Sequence, residues 1–204
     1  RFAKDNRRGN LWPVGGSRRI SKDAWLENSS DWLNNLSLRA SYGSVGNDAI
    51  TYPTGGTNYY AYKTQYSIMN SDGSFSLSKY YEGNPDLTWE TSYNLNVGLS
   101  ASLWNNLVDV DVEYFNKRTV DMLYNMPQAI SSGISYLSTN ALTMKNTGVE
   151  FTLGVNLPMP EDFTWNWTFT GTHYKNQILD IPEAKEKDGI THSSYYNYRE
   201  GNSV

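Results

Sequence analysis

Residues 91–114 limit what this chain can fold into more than any other stretch. From Tyr93 the order is Tyr93-Asn-Leu95-Asn-Val97-Gly-Leu99-Ser-Ala101-Ser-Leu103, apolar at odd positions and Asn, Gly or Ser at even ones. Trp104-Asn105-Asn106 follows as a turn-forming cluster, and Val108-Asp-Val110-Asp-Val112-Glu-Tyr114 resumes the alternation. A period of two sorts side chains onto the two faces of an extended strand, whereas a 3.6-residue period would scatter Leu95, Val97, Leu99 and Leu103 around a helix. The stretch is therefore predicted to be an antiparallel hairpin with one apolar and one polar face.

Two surroundings accept such an apolar face: a second packed sheet, as in a soluble sandwich, or lipid, as around a membrane barrel. The first arm exceeds the roughly 5–6 residues of an ordinary strand and reaches the roughly 9–11 that cross a bilayer at a tilt. On the polar face Asp109, Asp111 and Glu113 join Asn94 and Asn96. That composition suits a hydrated lumen and equally a half-exposed soluble sheet.

Composition excludes several classes. The hydrophobic fraction is only 38%, yet 14% of residues are aromatic, with 16 Tyr and 7 Trp. Such rings suit half-dry places: membrane interfaces, sugar-binding surfaces and protein interfaces. A net charge of −4 without a basic run gives nucleic-acid binding no electrostatic footing. With no cysteine there is neither a disulfide scaffold nor a thiolate metal site. No run of 18 apolar residues exists, so no transmembrane helix is expected, and a barrel needs none. No signal peptide is visible, and the opening Arg1-Phe-Ala-Lys reads as the start of a fragment.

Taken in order, residues 1–10 read as a solvated loop. Asn10–Ile20 reads as a poor strand, weakened by Pro13 and Gly15-Gly16. Residues 21–35 read as a connector with a helical turn capped by Ser21, with Trp25 and Leu26 turned inward. Leu36–Gly43 alternates again. Residues 44–86 show no sustained period, and 116–145 form a second irregular stretch. Val149–Leu157 and Phe163–Gly171 are alternating strands joined across Pro158–Asp162, before an irregular tail, 176–204. The connections thus run moderate, long, short, long, short, long. In an up-and-down meander alternate connections share an end, so all the long ones gather at one rim. Short turns at one end and long loops at the other describe an outer-membrane barrel, and a sandwich has no reason to segregate them.

Four motifs carry a resemblance. Leu38-Arg-Ala-Ser-Tyr-Gly-Ser-Val-Gly-Asn47, Asn84-Pro-Asp-Leu-Thr-Trp-Glu90, Val112-Glu-Tyr-Phe-Asn-Lys-Arg-Thr-Val-Asp-Met-Leu123 and Asn146-Thr-Gly-Val-Glu-Phe151 resemble consecutive motifs near the C-terminal end of SusC/RagA-type TonB-dependent transporters. The resemblance implies an all-β fold, an antiparallel up-and-down meander forming the C-terminal part of a large transmembrane barrel of about 22 strands with an internal plug. It implies a cell outer-membrane location, a SusD-like lipoprotein lid, oligosaccharide or peptide cargo, and contact with TonB through a part outside these residues. Residues 1–204 are then a slice of the barrel with extracellular loops 44–86, 117–145 and 176–204, without plug or TonB box. The alternative reading is a soluble β-rich carbohydrate-binding module, which would remain monodisperse without detergent.

No catalytic residue, metal ligand or cofactor is expected. His173 and His192 are far apart in a β pattern and have no tight carboxylate partner. Asp109, Asp111 and Glu113 have an i, i+2 spacing of about 6–7 Å, within reach of glycosidase geometry, but the alternation alone accounts for them. Gly15-Gly16 and Gly55-Gly56 lack the strand-to-helix setting of phosphate loops. Expected lumen-facing residues are Asn94, Asn96, Asp109, Asp111, Glu113 and Glu150. Trp165 and Trp167 are expected in an interfacial girdle near the short turns, and Trp89 in the opposite one. Ligand or lid contact is expected from the loop tyrosines Tyr59, Tyr60, Tyr62, Tyr66, Tyr195, Tyr196 and Tyr198, since Tyr offers a flat ring and a hydroxyl at low entropic cost.

Overall fold

A computed structural model describes residues 1–23, 26, 31–158, 164–182, 189–193 and 196–203. Its strands are β1 (Pro13–Arg19), β2 (Leu33–Asn47), β3 (Gln65–Ser71), β4 (Ser74–Tyr81), β5 (Glu90–Leu103), β6 (Val108–Pro127), β7 (Tyr136–Pro158), β8 (Thr164–Asp180), β9 (Ile190–Ser193) and β10 (Tyr196–Tyr198). Six form one sheet in the order β1-β2-β5-β6-β7-β8, an up-and-down antiparallel meander, while β3-β4 and β9-β10 are separate hairpins. The fold class is the one the alternation predicts.

The register decides the faces, because directly opposed residues lie on the same side of a sheet. Leu99 is opposite Leu38 and Val112, and Val112 is opposite Phe151. Val110 is opposite Leu153, itself opposite Phe169; Val97 is opposite Tyr114, and Val155 opposite Trp167. The apolar residues of five strands therefore form one continuous wall. Asn94, Asn96, Asp109, Asp111, Glu113, Glu150, Thr168 and Thr170 all fall on the other side. The wall is uncovered: Leu38, Val97 and Leu99 are exposed, and Trp167 and Phe169 keep 62% and 64% of their surface open. A soluble module would need a second layer here, and no described element supplies it.

The ends of the sheet differ in chemistry. Trp104, Asn105 and Asn106 turn the hairpin through positive φ (50°, 55° and 63°), a region Asn tolerates better than most residues. Trp104 N–H donates to the Trp32 carbonyl (2.8 Å), which ties the β1–β2 connection to this turn. Exposed Trp32, Trp104, Trp165 and Trp167 gather at this end, and Trp12 packs edge-on against Tyr42 near the other. From Tyr93 to Leu103 the strand runs about 34 Å. At a tilt of about 40° that covers about 26 Å of height, close to the apolar band of a membrane barrel.

Four expectations need correction. The stretch 117–145 is not an irregular loop: β6 and β7 run through it and only 128–135 connects them. Register shifts between Thr119 and Leu123 break the alternation there, with Asp121 at φ 54°, so a strand persists where the period-two signal stops. Within 44–86, β2 continues to Asn47 and β3-β4 is a regular hairpin; within 176–204, β8 continues to Asp180 and β9-β10 follows. Ser21 lies inside a 3-10 turn, Ile20–Lys22, that has no side-chain cap; Trp25 lies outside the described residues. Trp89 precedes β5, packs against Phe2 (5.7 Å between rings) beside a small core of Ile50, Ala61, Tyr81 and Leu87, and lies over Gly46 on the wall side of the sheet.

Candidate functional site

The polar face carries one tight charged cluster. Arg39 Nη2 and Nη1 donate to Asp111 Oδ1 (2.7 Å) and Oδ2 (2.8 Å), and Nη2 and Nε donate to Glu113 Oε2 (2.7 and 3.1 Å). Nη1 also reaches Ser100 Oγ (2.6 Å). The guanidinium lies over Gly98, where an added Cβ would come within 2.5 Å of it. A planar fork across two carboxylates links β2, β5 and β6, a geometry Arg provides and Lys does not. With Asp111 and Glu113 both engaged as acceptors, neither is the isolated protonated acid that glycoside hydrolysis requires. Asp109 accepts from Asn156 Nδ2 (3.0 Å), Asn96 reaches Ser41 Oγ (3.5 Å), and Glu150 sits opposite Glu113. Sequence reasoning singled out the carboxylates and missed Arg39, although its place between Leu38 and Ala40 assigns it to the polar face by parity.

The second assembly is the rim of long connections. Exposed Tyr59 lies beneath Arg1 (Cζ to ring centre 5.2 Å), and Tyr60 is exposed beside it in sequence. Tyr62 is half-buried with Lys63 Nζ 5.4 Å from its ring, and Tyr66 is exposed on β3. No ring contact joins these four to one another. Tyr196 and Tyr198 begin and end β10, and Tyr195 lies outside the described residues.

Two features of the rim were not anticipated. One is a hollow of ≈ 260 Å³ between the base of β3-β4 and the 128–135 connection, lined by Tyr52, Tyr80, Tyr81, Tyr136, Lys79 and Glu82 among others. Tyr52 contacts Tyr80 and Tyr81, each at 5.7 Å. Hydrogen bonds from Lys79 Nζ (2.6 Å) and Thr64 Oγ1 (3.0 Å) hold the Glu82 carboxyl below its ordinary pKa, while burial pushes the Tyr81 phenol up. The other is the hairpin itself. Opposed pairs put Tyr66, Ile68, Leu77 and Phe75 on one face of it, with Ile68, Leu77 and Phe75 70–75% exposed. Among the described residues no group of His, Cys, Asp and Glu has metal-site geometry.

Comparison with known proteins fits this geometry. Residues 5–203 match the family described as TonB dependent receptor-like, beta-barrel. TonB-dependent receptor P26 of Formosa agariphila is 32% identical over 181 residues, 88% of this chain and 18% of that protein. TonB-dependent receptor SusC of Bacteroides thetaiotaomicron is 24% identical over 196 residues, 92% of this chain and 19% of that protein. A solved structure of the RagAB peptide transporter matches with a TM-score of 0.86 at 28% identity, over 98% of this chain and 21% of the matched one. The chain thus spans about a fifth of the length of these relatives.

Proposed function

Since the chain belongs to the TonB-dependent receptor-like β-barrel family, we propose that it supplies the C-terminal strands of a SusC/RagA-type outer-membrane importer. Oligosaccharides or peptides are its cargo, a SusD-like lipoprotein its lid, and TonB its energy source through a part beyond these residues. The observation that carries this reading is the uncovered apolar wall, with exposed tryptophans at its short-turn end and the longest connection, 48–89, at the other. Lipid covers such a wall in a membrane barrel, and the opposite face then lines the lumen. Asn94, Asn96, Asp109, Asp111, Glu113 and Glu150 are its lumen-facing residues.

Recognition belongs to the rim, because a plugged barrel receives its cargo from outside. The tyrosine-lined hollow suits a sugar ring or a peptide side chain. The exposed apolar strip of β3-β4 suits the lid, since an interface core is apolar and aromatic. Tyr59, Tyr60 and Tyr66 remain the contact residues we favour among the exposed tyrosines. The test removes residues 66–80 from the full-length transporter, joining Gln65 to Tyr81 by a short Gly-Ser turn. Insertion, lid association and cargo uptake are then measured separately. Normal insertion with loss of association or uptake is expected. Failure to insert makes the hairpin structural, and survival of all three removes it from recognition.

A further inference from the structure

We propose that the outer wall just below the long-connection rim binds the phosphorylated headgroup of an outer-leaflet lipid, held by Arg118, Lys145 and Lys175. The inference rests on the membrane reading above, and it adds a lipid site that barrel formation alone does not require.

Arg118 on β6 stands directly opposite Lys145 on β7. Lys175 on β8 stands opposite Thr147, one same-face step from Lys145. All three share the face of Leu95, Val97 and Leu99 rather than the polar face, as the pairings of Tyr93 with Arg118 and of Leu95 with Asn116 establish. Like charges directly opposed across strands destabilise a sheet, with Cβ atoms about 4.5–5.5 Å apart. Nothing within the described chain relieves this, because none of the three side chains has a hydrogen bond or ion pair. Apart from Asp180, which forms no ion pair with any of the three, the neighbours on that face are Tyr42, Tyr93, Tyr114, Asn116, Gln177 and His173, all neutral or basic. The nearest carboxylate in register, Asp180, is opposite Thr143, one same-face step above Lys145. An anion from outside the chain is what the arrangement lacks.

The local shape and chemistry choose the anion. Two hollows, ≈ 820 Å³ and ≈ 350 Å³, flank Lys145; the first also includes Tyr42, Tyr93, Leu95 and Arg118, the second Val149 and Lys175. Apolar and aromatic side chains lie directly below the cations, so a ligand here meets positive charge at its head and a greasy wall along its body. A free phosphate has no use for that wall. A lipid with a phosphorylated headgroup uses both parts, as basic pockets on membrane proteins use anionic lipids.

The test uses the full-length transporter in an uncharged detergent, as wild type, as R118Q/K145Q/K175Q, as K145Q alone, and as K117Q, whose position is on the opposite face. Each is titrated with a bis-phosphorylated outer-leaflet glycolipid, with the same lipid dephosphorylated, and with inorganic phosphate, and binding is read by native mass spectrometry and by the melting temperature. Wild type and K117Q are expected to favour the phosphorylated lipid. The triple variant is expected to lose roughly a hundredfold in affinity and K145Q about tenfold or less; the single variant decides if the triple one fails to insert. Equal binding by wild type and variants overturns the proposal, as does equal binding of the dephosphorylated lipid or saturation by inorganic phosphate alone. Should the wild type prove independent of detergent, the membrane reading has failed instead, and that result is visible before any titration.

Discussion

Leu99 and Asn96 are three residues apart on β5 and lie on opposite faces of the sheet, so under the proposed membrane reading an arginine at each has opposite consequences. At Leu99, near the middle of the wall, Leu99→Arg should cost about 2–4 kcal/mol of stability in a bilayer. Asn96→Arg, beside Ser41 on the polar face, should cost little. Urea unfolding of the membrane-inserted protein measures both, and equal costs would mean that lipid does not distinguish the faces. Gly98 offers a second contrast. Gly98→Ala puts a methyl group where the Arg39 guanidinium lies; the side chain can swing aside, so the expected cost is about 1 kcal/mol or less, from loosening the half-exposed Asp111–Arg39–Glu113 clamp. Gly154→Ala meets Asp109 Cβ at 3.5 Å, ordinary contact, and should be close to neutral in the same assay.

At the scale of elements, legibility followed the chemistry on each side of a strand. Where a strand has one apolar and one polar face, as in β5, the first part of β6 and the second part of β7, parity alone assigns side chains to their faces. Beyond Thr119 both faces of β6 leave that setting: Met122 and Tyr124 pack against the small core of Met126, Ala141, Leu142 and Ile178, and the alternation dissolves while pairing continues. Asn140 stabilises the irregular segment by donating to the carbonyls of Asp121 (2.6 Å) and Thr88 (3.0 Å), a role no sequence period signals. The β3-β4 hairpin was legible and overlooked. Asp72-Gly73, with φ 51° and 82°, is a two-residue loop of the kind that favours left-handed residues, flanked by Ile68 and Leu77 at matching distances. Gly73→Val places a β-branched residue in that conformation and should loosen the hairpin. Hydrogen exchange at residues 66–80 should quicken while β5 and β6 keep their protection. Unchanged exchange at 66–80 would mean that the turn does not hold the hairpin.

At the scale of the whole molecule, two edges and one wall set the behaviour. β1 and β8 end the six-stranded sheet, and each presents a row of backbone groups with no partner strand in the described sheet. In water such edges pair with other chains, and in lipid they must be satisfied by further strands, because hydrocarbon offers no hydrogen bonds. The exposed Trp165, Trp167 and Phe169 on edge strand β8 compound the liability. The two small cores over the rim, around Ile178 and around Leu87, are too limited to offset it. Residues 1–204 expressed alone should therefore be insoluble in plain buffer and recoverable only in detergent, and the full-length barrel should stay monodisperse in the same detergent. Replacing Trp167 and Phe169 by Ser should reduce but not abolish aggregation, since the edges remain. Size-exclusion chromatography with light scattering reads each case. A monodisperse monomer of residues 1–204 in plain buffer, with its strand content intact, would return the chain to the soluble-module reading and leave the apolar wall without its lipid.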